Sequence, residues 1–145
     1  MTTTQIYHVF IRATADEVWE AITRPEYTAR YFYGARIDTT AQERVNRGPD
    51  GSDWGTEAVL EFEPPRRLVH EWRSGYDEEL AAEPASRVTW EISPRDDGTC
   101  LVTLTHDRLE ASPKTAEGVG GTGWMYVLSA LKTVLETGES LVTSP

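Results

Sequence analysis

Four consecutive segments between Glu57 and Asp107 alternate apolar and polar residues, and one amphipathic segment follows to cover their apolar side. Ala58, Leu60 and Phe62 share one parity against Glu57, Glu61 and Glu63. Leu68, His70 and Trp72 repeat the pattern, then Val88, Trp90 and Ile92, then Cys100, Val102, Leu104 and His106. Alternation with a period of two is the mark of strands, which send successive side chains to opposite faces. Pro64-Pro65 and Asp97-Gly98 supply the breaks, and the latter is a strong hairpin signal. The expectation is an antiparallel sheet with a dry, even-numbered face and a wet face. Trp124, Leu128, Leu131 and Leu135 fall on one helical stripe, which Val127 and Val134 widen. A helix from about Gly123 to Thr137 follows, with Gly138 as its C-cap and an outward Lys132–Glu136 pair.

The first third of the chain supplies smaller pieces. Gln5 to Arg12 reads as a strand with apolar residues on both parities, so it is expected to be covered on much of both faces. Thr14 and Glu17 have the spacing of a capping box ahead of Val18, Trp19 and Ile22. Pro25 limits that helix and suits the first turn of a second short one through about Phe32, closed by Gly34. Ala35–Thr39 is a weak strand, and Arg47-Gly48-Pro49-Asp50-Gly51 is turn chemistry. Ser74–Ala85 reads as an acidic loop and Glu117–Gly121 as a flexible stretch before the last helix. The order predicts an α+β helix-grip fold: a curved antiparallel sheet wrapped around a long C-terminal helix, with two short helices after the first strand. At 145 residues it is expected to be a single domain, 1–145.

Several segments resemble a known family in their joint order. These are Val9-Phe10-Ile11-Arg12-Ala13, Val18-Trp19-Glu20-Ala21-Ile22-Thr23 with Pro25-Glu26, and the long run from Phe62 to Trp72. Val88-Thr89-Trp90-Glu91-Ile92, Asp97-Gly98-Thr99, Leu104-Thr105-His106 and the closing pattern from Gly123-Trp124 to Gly138 complete it. Together they resemble the SRPBCC or START-like (Bet v 1-like) superfamily, and within it the branch named after the activator of the heat-shock-protein-90 ATPase. The resemblance spans nearly the whole chain and implies a START-like domain. The superfamily includes lipid carriers, cyclases and hormone receptors, so the fold does not fix the function.

Charge and composition exclude several partners. A formal net charge of −10 and a pI near 4.7 repel phosphate backbones and anionic bilayers. No nucleic acid and no stable membrane association are expected. Cys100 is the one cysteine, so no intramolecular disulfide forms, and its apolar setting reads as packing. The segment Met1–Phe10 lacks a leader pattern, and no run approaches the roughly 18 apolar residues of a membrane span. The cytoplasm is the expected location. No His-x-His pair, Gly-rich phosphate loop, serine elbow or HExxH pattern is present, so no metal and no cofactor are expected.

A long helix laid across a curved sheet touches it along a line, and space opens beside that line. The groups pointing there are expected to be Leu60, Phe62, His70, Trp72, Trp90, Val102, Leu104, His106, Trp124, Leu128 and Leu131. Phe32 and Trp54 are expected near the mouth, and Arg36 and Arg73 are rim candidates. These side chains either fill the gap or wall a cavity for a small hydrophobic or aromatic ligand. His70 and His106 are either polar anchors for that ligand or core histidines satisfied internally. Glu61, Glu71 and Glu91 alternate outward and read as a solvated face. Three functions remain open at this point. The first is ligand binding; the second is a cyclase- or hydrolase-like enzyme using His70, His106 or Tyr33 as acid or base. The third is an interaction module for a chaperone or regulator. The sheet edge near Ala35–Thr39 is the expected surface for a homodimer.

Overall fold

A computed structural model describes residues 4–142, so residues 1–3 and 143–145 of the expected domain lie outside the described residues. Seven strands form one open antiparallel sheet in the order β1-β7-β6-β5-β4-β3-β2. They are β1 (Gln5–Ile11), β2 (Arg36–Thr39), β3 (Glu43–Arg47), β4 (Asp53–Glu63), β5 (Arg67–Trp72), β6 (Ser86–Pro94) and β7 (Cys100–Asp107). Helices α1 (Ala15–Thr23) and α2 (Pro25–Tyr31) follow β1, α3 (Glu78–Ala81) and α4 (Pro113–Val119) sit in connections, and α5 (Gly123–Thr137) closes the chain. This is the helix-grip arrangement expected from the sequence.

Local chemistry sets the helix ends. The Thr14 hydroxyl accepts from Glu17 N at 3.1 Å while Glu17 accepts from Thr14 N at 2.9 Å, a complete capping box. Gly138 ends α5 at φ 78°, where a side chain would be strained. Trp124, Val127, Leu128, Leu131 and Val134 of α5 are buried against the sheet. Leu68, Val88, Trp90, Ile92, Cys100, Val102 and Leu104 form the facing floor, so the even-numbered dry face holds for β5, β6 and β7.

Four expectations are corrected. Strand β1 is covered on one face only: Ile6 is 57% exposed and Phe10 51%. Strand β3 went unseen because its inward residues are Arg44 and Asn46, so no apolar alternation marks it. In β4 the parity breaks twice. Gly55 at φ 100° turns the backbone after Trp54, and a register shift between Val59 and Glu61 turns it again. Glu57 therefore points inward and is buried, whereas Leu60, expected in the interior, is 46% exposed. Finally, the stretch from Glu117 begins inside α4, and the acidic loop contains α3. Helix α4 is capped from a distance: Glu83 accepts from Lys114 N at 3.0 Å and from Thr115 N and Oγ1 at 2.7 Å. No local pattern announces such a cap.

The expected dimer edge is covered in part. The Thr28 hydroxyl of α2 donates to Ala35 O and accepts from Ile37 N, both at 2.9 Å, filling backbone positions at that edge. The register shift in β4 makes a prediction. Leu60→Asp is expected to change the unfolding free energy by no more than about 0.5 kcal/mol, as for a surface site. Urea denaturation measures this, and a loss of several kcal/mol would return Leu60 to the interior.

Candidate ligand pocket

The interior under α5 has two halves. In one, tryptophan and histidine rings pack against one another. Trp124 lies 5.2 Å from Trp72, 5.9 Å from Trp90 and 5.9 Å from His106, centroid to centroid. The indole N–H of Trp124 donates to His106 Nδ1 at 3.0 Å. An indole only donates, so Nδ1 is bare and the ring proton sits on Nε2, which donates to Ser86 Oγ at 2.7 Å. His70 takes the opposite tautomer. Trp90 Nε1 donates to its Nε2 at 3.2 Å, and its Nδ1 donates to the Glu71 carbonyl at 2.8 Å. Both histidines are satisfied internally. Burial lowers the basicity of each: His106 falls to about 4, while His70 falls well below its ordinary value, with Arg44 adding to the effect.

The other half is open. A cavity of about 430 Å³ lies between the N-terminal end of α5 and the β2–β4 side of the sheet, within the range of small-molecule sites. Phe32, Trp72, Trp124 and Val127 border it on the core side. Trp54, Ser74, Gly75 and Tyr76 border it from β4 and the loop after β5, and Gly118, Val119 and Gly123 from the α4–α5 turn. Trp54 is held there by close glycine contacts. A Cβ added to Gly48 would lie 2.7 Å from its ring, and one on Gly75 1.8 Å from its carbonyl oxygen.

A buried ion pair sits beside this cavity. Arg44 Nη1 donates to Glu57 Oε1 at 2.6 Å and to Asn46 Oδ1 at 2.9 Å. Asn46 Nδ2 donates to Glu57 Oε1 at 3.0 Å, and the Arg73 backbone N–H donates to Glu57 Oε2 at 2.7 Å. Glu57 is thus paired and hydrogen-bonded, as a buried carboxylate must be. The guanidinium carbon of Arg44 also lies 5.2 Å from the Trp72 ring centroid and 5.9 Å from that of Phe32.

Among the residues expected at the site, Phe32, Trp54, Trp72 and Trp124 border the cavity. Trp90, His70, His106, Val102, Leu104, Leu128 and Leu131 are buried in the packed half instead. Phe62 packs edge-on against Trp19 at 5.2 Å, and Leu60 faces outward. Of the rim candidates Arg73 borders the cavity, whereas Arg36 is exposed elsewhere. Tyr33 borders it too, with its phenol made less acidic by burial and by Tyr126 and Tyr76 nearby. The sequence reading missed Asn46, Ser74 and Tyr76, and the Arg44–Glu57 pair behind them. The one available signal was the turn at Arg47–Gly51, which makes the flanking segments a hairpin and sets Arg44 opposite Glu57.

A family model described as Activator of Hsp90 ATPase homolog 1-like protein matches residues 12–136. No curated protein sequence matches the chain. Among solved structures, CalU16 from Micromonospora echinospora is 26% identical, with a TM-score of 0.69 over 95% of this chain and 77% of that one. SSP2350 from Staphylococcus saprophyticus is 19% identical, with a TM-score of 0.73 over 97% of each chain. The Aha1 dimer from Colwellia psychrerythraea is 16% identical, with a TM-score of 0.71 over 94% of this chain and 98% of that one. The last two likenesses are of fold alone.

The buried histidines carry a pH dependence. An unfolded histidine binds a proton near its ordinary value of 6.5, whereas folded His106 does so only at about 4. The stabilisation is therefore complete above about pH 6.5 and is lost as the pH falls toward 4. The loss from His106 is expected to be about 3 kcal/mol. Urea titrations between those pH values, followed by tryptophan emission, measure it; a flat stability would contradict the buried, neutral imidazoles.

Proposed function

The chain belongs to the family of Activator of Hsp90 ATPase homolog 1-like proteins, and from that premise we propose that it binds a small hydrophobic or aromatic molecule. The observation that carries this reading is the cavity of about 430 Å³ bordered by Phe32, Trp54, Trp72 and Trp124. Its bordering side chains include no carboxylate and no imidazole, which favours holding a molecule over moving a proton on it. The cyclase- or hydrolase-like alternative would have to work through hydroxyl groups such as that of Tyr33. The proposed setting is the cytoplasm; none of the described helices is long and apolar enough to cross a membrane.

Two of the five tryptophans at stake, Trp72 and Trp124, touch the cavity from the core side, so a bound aromatic molecule should quench their emission. Saturable quenching is expected from at least one member of a panel of flavonoids, polycyclic aromatics and fatty acids. Val127→Phe places a ring in the cavity and is expected to weaken that binding about tenfold or more, about 1.4 kcal/mol. Its melting temperature should stay close to that of the parent. No saturable member across the panel would sink the reading.

A homodimer is proposed through β1. Ile6 and Phe10 are apolar and exposed on that edge strand, while Thr28 covers part of the opposite edge. Sedimentation velocity should show a dimer whose dissociation constant rises in Phe10→Glu. A monomer at every concentration would remove this part of the proposal.

A further inference from the structure

Three buried indole N–H groups each reach an acceptor, and following the three chains to their ends separates them. From Trp90 the chain runs through His70 to the Glu71 carbonyl. From Trp124 it runs through His106 and Ser86 to the Trp72 carbonyl, the last step at 3.5 Å. From Trp72 it runs to Ser74 Oγ at 3.0 Å and stops there. Among the described residues nothing accepts the hydroxyl hydrogen of Ser74. Ser74 is only 1% exposed, and it borders the cavity. A hydroxyl has one donor and two acceptor positions, so accepting from Trp72 leaves its donor to be satisfied. Accepting an indole N–H also polarises the O–H bond and strengthens it as a donor.

Of the two charges nearby, one is paired with a carboxylate and the other is held by backbone carbonyls alone. Arg73 Nη1 donates to the carbonyls of Ala81 and Glu83, both at 3.3 Å. Arg44 is neutralised by Glu57. What the cavity offers is aromatic surface, the buried Ser74 hydroxyl and, in more exposed positions, the Arg73 guanidinium and the Tyr76 phenol. We propose that the Ser74 hydroxyl recognises the pocket's ligand, and that this ligand is a flat aromatic compound with a carbonyl-type oxygen at its edge. The inference rests on reading the cavity as a ligand site and names the class of ligand it selects. A bare hydrocarbon would leave the Ser74 donor unsatisfied.

The test uses 9-fluorenone and fluorene, which share a ring skeleton and differ in one carbonyl. Both are titrated by fluorescence quenching into the parent and into Ser74→Ala. The substitution is expected to weaken fluorenone about five- to tenfold and to leave fluorene within about twofold. Equal weakening of both, or of neither, overturns the role of Ser74 while leaving the binding site standing. Failure of both compounds and of the wider panel to bind the parent overturns the site itself. Because Ser74→Ala also strips Trp72 of its acceptor, a second measurement uses the parent alone. Difference infrared spectra should show the carbonyl stretch of bound fluorenone below its position in cyclohexane. A stretch at the cyclohexane position also overturns the proposal.

Discussion

The indole of Trp124 divides the interior. It sits at the first turn of α5, wedged among Phe32, Trp72, Trp90 and His106, with its N–H fixed on His106. On one side the helix joins β5, β6, β7 and β1 in one buried apolar cluster. On the other, the cavity begins. Truncating a buried indole of this kind typically costs about 3–5 kcal/mol, so this one side chain is a large fraction of the stability of a domain this size. The same ring that closes the core is thereby a wall of the pocket.

What keeps the far side from collapsing is polar. A hydrophobic cluster at Arg44, Asn46 and Glu57 could slide inward and fill the void. A buried ion pair cannot, because each member needs its partners in fixed positions. Glu57 is held by Arg44, Asn46 and the Arg73 backbone, and the guanidinium lies near the Phe32 and Trp72 rings. The network spends stability on geometry and leaves the aromatic border of the pocket standing apart.

This division explains which parts of the structure were legible beforehand. Strands β5, β6 and β7 and helix α5 bury apolar side chains on one face, so their period appears directly in the sequence. Helix α1 carries its capping box within four residues, and it too was readable. Strand β3 buries Arg44 and Asn46, and polar residues look alike whether they face water or an ion pair. The turn-back in β4 depends on Gly55 and on pairing with β5, so the period-two reading of Glu57–Glu63 put Leu60 and Glu57 on the wrong faces. The tryptophans were recognisable as interior residues, but which of them meet a void depends on packing between distant segments. The histidines were placed on the correct face, with the alternative of internal satisfaction left open, and the indoles decide that point.

Glu83 joins parts of the chain that no strand pairing connects. Its carboxylate caps α4 from across the fold, while its carbonyl receives the guanidinium of Arg73. The segment after β5 and the segment before α5, which border the pocket on separate sides, are therefore mechanically tethered. Moving either segment outward alone would break the hydrogen bonds that meet at this one residue.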